Sequence, residues 1–285
     1  MPRFEPHPQR RPAVVTGASS GIGAATATAL AAAGHPVALG ARRADRCAEL
    51  AAEIRAGGGE AFAGPLDVSD DGSVRGFAAA AAAALGPAEI LVCCAGDIEA
   101  NLVHELGPDA FLAEVSVHLV GVHRLISAIV PGMVGRRRGD VVLVSSDVVR
   151  APRPRMGAYV AAKSGVEGMA KAMQMELEGT GVRVGVVRPG PTMTGMGMSW
   201  DAQTLQAVLD DWARWGLARH PYFLRPADVA AAVAAMVSVP RGAHLTLVEI
   251  EPEAPVQPRP GTAGSEPGTG GGDPGRPGPG GEAAP

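Results

Sequence analysis

Cysteine is scarce in this chain of 285 residues. There are three, Cys47, Cys93 and Cys94, an odd count with no metal-ligand spacing. Two of them are adjacent, a poor geometry for an ordinary disulfide. That usage excludes a disulfide framework and fits a reduced, cytoplasmic setting. Basic charge is not in excess either. The net charge of −4 and pI near 6.0 speak against nucleic-acid binding. Nowhere do about 18 apolar residues follow one another without a charge or a helix breaker, so no membrane span is expected. The opening M-P-R-F-E-P-H-P-Q-R-R-P has no apolar run resembling a signal peptide. Internal repeats are not visible. What is present is apolar: 46% of residues are hydrophobic, enough for a substantial core in one large or two small domains.

Short apolar runs alternate with longer helical patterns. Strands are expected at Ala13 to Thr16, Pro36 to Gly40, Ala61 to Leu66, Glu89 to Cys93, Asp140 to Ser145, Val182 to Val187 and Leu245 to Ile250. Helices are expected from the glycine turn to Gly34, over Ala44 to Ala56, and from a cap at Ser69 or Asp70 to Gly86. Further helices are expected over Pro108 to Val134, through Tyr159 to Glu178, and over Ala227 to Val239. Such alternation predicts an α/β fold, doubly wound, with a parallel sheet flanked by helices on both faces. The strands are continuous apolar runs, as suits strands covered on both sides. Residues 1–11 read as a polar lead-in and 12–251 as one domain, with an interruption at 191–222. The Pro/Gly-rich segment 252–285 has too little apolar content to order itself.

One stretch carries chemistry. Val141 to Val144 reads as a buried parallel strand ending in Ser145 and Ser146, at the rim where such sheets bind ligands. Tyr159, one of only two tyrosines, precedes Lys163 by four residues, so a helix puts phenol and ammonium on one face. Serine, tyrosine and lysine together suit carbonyl reduction. The phenol gives a proton, the ammonium lowers its pKa from about 10, and the serine hydroxyl holds the carbonyl oxygen. A lone Y-x-x-x-K is more often a core tyrosine beside a solvated lysine, so support must come from elsewhere.

Gly17, Gly21 and Gly23 lie between the first strand and the first helix. Glycine there permits a tight turn and close approach of a pyrophosphate to a helix N-terminus. At the end of the second strand Ala41 stands where an NAD site carries an acid, and Arg42 and Arg43 follow. Guanidinium groups at that place suit a 2′-phosphate, which favours NADP(H) over NAD(H).

The motifs T-G-A-S-S-G-I-G, L-D-V, C-C-A-G, S-S, Y-V-A-A-K and R-P-G-P-T-M-T follow in one order. That order and spacing resemble the short-chain dehydrogenase/reductase family over residues 12–250. The resemblance implies a Rossmann-type domain with a seven-stranded parallel sheet and a homo-oligomer, dimer or tetramer. It implies a catalytic set of Ser146, Tyr159 and Lys163; Ser146 is preferred to Ser145 because it lies 13 residues before the tyrosine. The implied cofactor set is Thr16, Gly17, Ser19, Ser20, Gly21, Ile22 and Gly23, then Arg42, Arg43, Asp67, Val68, Ala95 and Gly96. Tyr159, Lys163, Pro189, Gly190, Thr192 and Thr194 complete it. Two departures stand out. C-C-A-G replaces N-N-A-G, and His118 falls where the family has an asparagine supporting a water-linked proton path. An imidazole titrating near 6.5 in that path would add an inflection to the rate.

All three tryptophans (Trp200, Trp212, Trp215) fall between the sixth strand and the last helix. With Met193, Met196, Met198, Leu205, Val208, Leu209, Tyr222 and Phe223 they fall in what the resemblance implies is a substrate-binding loop and lid, where Met196 and Trp200 would join Ser146 and Tyr159 as substrate contacts. That content suits an apolar ketone or secondary alcohol. Arg150, Arg153 and Arg155 offer a second reading, contact with an anionic substrate. A rival from another class is a non-catalytic dinucleotide-binding sensor or scaffold.

Overall fold

Four- to eight-residue runs rich in valine and leucine are too short for helices and form seven strands: β1 (Ala13–Thr16), β2 (Val37–Ala41), β3 (Ala61–Pro65), β4 (Ile90–Cys93), β5 (Gly139–Val144), β6 (Val182–Pro189) and β7 (Leu247–Ile250). The computed structural model describes residues 4–197, 200–217 and 220–256. All pairings are parallel, in the order β3-β2-β1-β4-β5-β6-β7. Parallel neighbours need crossovers, and helices supply them: α1 (Gly21–Ala32), α2 (Ala44–Ala56), α3 (Asp71–Leu85), α4 (Pro108–Val115), α5 (Gly121–Gly135), α6 (Gly157–Glu176), α7 (Ala202–Arg214) and α8 (Pro226–Ser238). One face of the sheet packs Val74, Phe77, Leu125, Met133 and Val166 from α3, α5 and α6. The other packs Leu30, Ile54, Val233 and Met236 from α1, α2 and α8. Strand order reverses at β1, between β2 and β4, and the glycine turn sits at that switch point.

The long helix differs from expectation in one place. Between α4 and α5 the backbone widens into a π-helical turn, Ser116–Val120, centred on His118. Such turns recur at functional sites. Gly121 follows at once, and any side chain there would meet Val68, 2.9 Å away. The whole span Pro108–Gly135 is 28 residues with mean hydropathy 1.5 in its most apolar window, long and apolar enough to cross a bilayer by length and composition. Its apolar content is used in this fold as a core helix, through Val122, Leu125, Ile129, Val130 and Met133. The α3 cap is Asp70, which accepts from the Ser73 amide at 2.6 Å, while Ser69 bonds Asp67 instead.

The lead-in is more than a polar overhang. Arg11 is 1% exposed, paired with Asp140 and 3.8 Å from Glu89, and donates to the Val237 carbonyl at 2.8 Å. Asp140 also holds Arg183, and Glu89 holds Arg138. This clamp closes the amino-terminal end of the sheet. Removing one partner from a buried pair strands the other charge, at about 3–5 kcal/mol. Arg11→Met is therefore expected to lower the thermal midpoint by on the order of 10 °C. A midpoint unchanged in differential scanning calorimetry would show that the two acids find other partners.

Contacts divide the chain into Met1–Pro252 and Glu253–Pro285. Of the segment expected to be unstructured, residues 257–285 lie outside the described residues. A cleft of about 530 Å³ between α3 and α5, walled by Ala78, Ala82, Leu85 and Ile129, opens at the amino ends of the strands. It contains none of the candidate residues.

Candidate active site

β5 ends at Val144 and delivers two serines with different fates. Ser145 donates to Glu167 at 2.7 Å, and Glu167 also takes both arms of Arg188. Ser145 is thereby spent on structure. Ser146 starts the short 3₁₀ turn Asp147–Val149, and its hydroxyl acts on the Tyr159 phenol. Tyr159 and Lys163 lie one turn apart on the buried face of α6, at 6% and 5% exposure. The structure thus brings Ser146, Tyr159 and Lys163 together at the carboxyl rim of β5.

Their electrostatics differ from the simple reading. Burial pushes the Tyr159 phenol up to about 12; the Ser146 bond and Arg153 pull it back, and Asp147 and Glu114 push it further up. The main influences on the phenol do not include Lys163. Its Nζ donates to the Val144 carbonyl at 2.7 Å and sits 5.6 Å from the centre of the tyrosine ring. Burial lowers that ammonium to about 8. Burial is the largest influence on both groups.

His118 reaches the same place. Its ring meets the Tyr159 ring edge-on at 4.9 Å and 84°. Nε2 faces the Asp97 carbonyl at 2.5 Å, so it carries the hydrogen; Nδ1 has no partner among the described residues. A Cβ at position 96 would overlap this ring, so only Gly96 fits beside it. Burial, then the Lys163 charge, lowers the imidazole to about 3. That removes the neutral-range titration expected of it.

The glycine turn is built as a cradle. Gly17 and Gly21 have φ of +67° and +55°. A Cβ on Gly17 would lie 2.9 Å from the Ala95 backbone, and one on Gly23 would strike the Gly17 carbonyl. Thr16 steadies the end of β4, its Oγ1 accepting from Cys94 and Ala95 amides at 3.1 and 3.2 Å. α1 begins at Ser20 with no side-chain cap and no acid in its first turn, leaving amide donors for an anion. Arg43 reaches over the turn to Ser19 and Ser20 at 3.1 and 2.7 Å. These features fit a dinucleotide: free donors, a backbone-only floor and a cation at the rim.

The remaining candidate cofactor residues have these surroundings. Ile22 packs into the core beneath α1. Arg42 is exposed and its charge acts on Asp67, whose carboxylate is held low mainly by Ser69 hydrogen bonds. Val68 is buried under Gly121. Pro189 ends β6; Gly190 accepts from the Thr192 hydroxyl at 2.8 Å, and Thr194 lies against Gly21.

Helix α7, in the segment expected to form a lid, seats one face only. Val208 is 1% exposed and joins Ile98, Val148, Met156 and Tyr159 in a cluster that Trp200 and Trp212 flank. Leu205, Leu209, Met193, Met196, Tyr222 and Phe223 are exposed, and Met198 lies outside the described residues. Trp200 therefore meets the Tyr159 cluster, whereas Met196 is placed on the surface loop after Thr194. All three loop arginines are engaged: Arg150 with Glu249 and Glu251, Arg153 with Asp147, and Arg155 with Asp211. Sequence reading missed Asp147, although it directly follows Ser146. It also missed Glu114, two residues before the π-helical turn, whose carboxyl burial pushes up to about 7.

The short chain dehydrogenase family profile matches residues 11–205. The chain is 39% identical over 241 residues to the glycine betaine reductase ATRR of Emericella nidulans, covering 84% of this chain but 18% of that much longer protein. It is 31% identical over 241 residues to the 2,3-dihydro-2,3-dihydroxybenzoate dehydrogenase of Bacillus subtilis, covering 82% of this chain and 91% of that one. An alcohol dehydrogenase from Thermococcus sibiricus, solved with 5-hydroxy-NADP, superposes with a TM-score of 0.73 at 30% identity, over 85% of this chain and 96% of that one. With the profile spanning more than half of the sequence and the motifs converging in space, the chain belongs to the short chain dehydrogenase family.

Proposed function

We propose that the protein is an NADP(H)-dependent oxidoreductase acting between a carbonyl and a secondary alcohol of an apolar small molecule. The observation that carries this is the convergence of Ser146, Tyr159 and Lys163 at the β5 rim, beside the glycine cradle. A bound nicotinamide supplies or takes up the hydride. Tyr159 gives its proton to the carbonyl oxygen in reduction and takes one from the hydroxyl in oxidation. Ser146 donates to that oxygen and fixes its place. Lys163, already turned toward the rim, contributes positive charge that favours the phenolate once solvent is excluded. The apolar wall of Ile98, Val148, Met156 and Trp200 favours an apolar substrate. Pairing of Arg150, Arg153 and Arg155 with acids argues against an anionic one.

NADP(H) is favoured by Ala41 at the end of β2 and by Arg43 beside Ser19 and Ser20. The NADP derivative in the Thermococcus enzyme agrees with it. Charge-assisted contacts to phosphate contribute about 1.5–3 kcal/mol. Replacing Arg42 and Arg43 together by alanine is thus expected to weaken NADPH about tenfold or more and NADH little. Fluorescence titration of both cofactors checks this, and equal losses would mean that the arginines do not read the 2′-phosphate.

Residues 12–251 form the catalytic unit in this reading, acting as a cytoplasmic homo-oligomer, dimer or tetramer. Free cysteines and the exposed Phe111, Leu112 and Val120 of the long helix support those two points. Turnover of a panel of apolar ketones and alcohols with NADPH and NADP⁺ tests the whole proposal. Tight cofactor binding with no turnover on any member would favour the non-catalytic sensor instead.

A further inference from the structure

Ser146 does not stand alone at the rim. Its Oγ donates to Asp147 Oδ1 at 3.1 Å. An ionised carboxylate only accepts, so the hydrogen in that bond is the serine's own. The same hydrogen is the one a carbonyl oxygen needs. Asp147 therefore fixes where that hydroxyl is held before a carbonyl oxygen arrives, and too firm a hold would keep it from the substrate. Asp147 is in turn gripped by Arg153, whose Nη1 donates to Oδ1 at 2.9 Å and whose Nη2 donates to Oδ2. Both side chains are buried, at 7% and 8% exposure. A guanidinium sharing the carboxylate weakens its pull on the serine. Arg153 also lies 5.2 Å from the centre of the Trp212 ring on α7, within range of a cation–π contact. The lid and the serine thus share one side chain.

We propose that Asp147 is a positioning residue for Ser146, and that Arg153, seated against Trp212 of the lid helix, sets how firmly Asp147 holds the serine hydroxyl. Neither residue touches the reacting atoms; both act through Ser146. The inference rests on the reading of Ser146 and Tyr159 as the chemical groups. The charged and titratable groups facing Tyr159 are Lys163 on α6, Glu114 on α4, His118 in the π-helical turn, and Asp147 and Arg153 in the β5–α6 connection. Of these, Asp147 raises the phenol and Arg153 lowers it.

Two readouts separate positioning from mere structure. The alkaline inflection of alcohol oxidation is expected to move to lower pH in Asp147→Asn and to higher pH in Arg153→Met, by about one unit each. The rate loss caused by Ser146→Ala is expected to shrink about tenfold or more in either background, since contacting groups are non-additive. Shifts in the same direction, or a Ser146→Ala loss equal to that in wild type, would overturn the proposal. If either single variant fails to fold, the neutral double variant D147N/R153M strands no charge and carries the Ser146→Ala comparison by the same criterion. Should Ser146→Ala and Tyr159→Phe both leave wild-type turnover intact, the reading of the site fails. Large losses there, with additive loss at Asp147, sink only the positioning pair.

Discussion

Replacing Tyr159 by phenylalanine is expected to lower turnover by roughly 10²–10⁴-fold, the range for a positioned acid–base group, and to leave NADPH binding nearly unchanged. The substitution removes one hydroxyl from a fully packed ring, so the cluster of Ile98, Val148, Met156 and Val208 keeps its shape. What disappears is the phenolic proton that the ring presents at the β5 rim. The pH dependence sharpens the test. Burial holds the phenol protonated, pushed up to about 12. Reduction needs the protonated form and is expected to be flat through neutral pH. Oxidation needs the phenolate, so its rate rises with pH through the alkaline range. Both features should vanish in the phenylalanine variant, whose residual rate has no titrating tyrosine. Steady-state rates in both directions, with cofactor affinity measured separately, decide the matter. A variant with near wild-type turnover takes Tyr159 out of the mechanism.

Local patterns explain how much of this was legible beforehand. The apolar runs that became β1, β4 and β5 have one good solution, burial between helices, and α2 was bounded on both sides by its own residues at Ala44 and Gly57. Tyr159 and Lys163 were legible because helical spacing alone puts them on one face. The choice of Ser146 over Ser145 rested on the family spacing, and its structural reason needed the fold, since Glu167 lies 22 residues away from the serine it occupies. Long-range ion pairs were hidden for the same reason. Arg150 finds its acids 99 and 101 residues later, and Arg11 finds Asp140 after 129. Nothing in a charge run announces such partners. The π-helical turn is subtler, because its residues S-V-H-L-V are ordinary helix formers. Backbone contact between Gly121 and Val68 accompanies it, and no periodicity reports that. Lys163 shows the limit of reading chemistry by residue type: the pair was found, but burial, not the lysine, sets the phenol's acidity.

His118 gives the other large effect, and it is an effect on acid stability. In an unfolded chain the imidazole binds its proton near pH 6.5. In the folded protein burial and the Lys163 charge hold it at about 3. The unfolded state therefore binds more protons throughout that window, and stability rises with pH across it. The contribution is complete above the unfolded value and is lost as pH falls toward the folded one. Each unit of separation is worth about tenfold in the folding equilibrium. His118→Asn removes the titrating ring while keeping a side chain able to donate to the Asp97 carbonyl. Relative to that variant, wild type is expected to lose about tenfold per unit between roughly pH 6 and pH 4. Urea unfolding of both proteins at matched pH isolates the term, because carboxylates common to both cancel in the difference. A difference independent of pH would show that the ring is not held neutral by its surroundings. The same neutrality bears on catalysis. An imidazole uncharged at every working pH contributes no inflection near 6.5, so the oxidation profiles of wild type and His118→Asn are expected to share one shape. An extra neutral-range inflection in wild type, absent from the asparagine variant, would return His118 to the proton path.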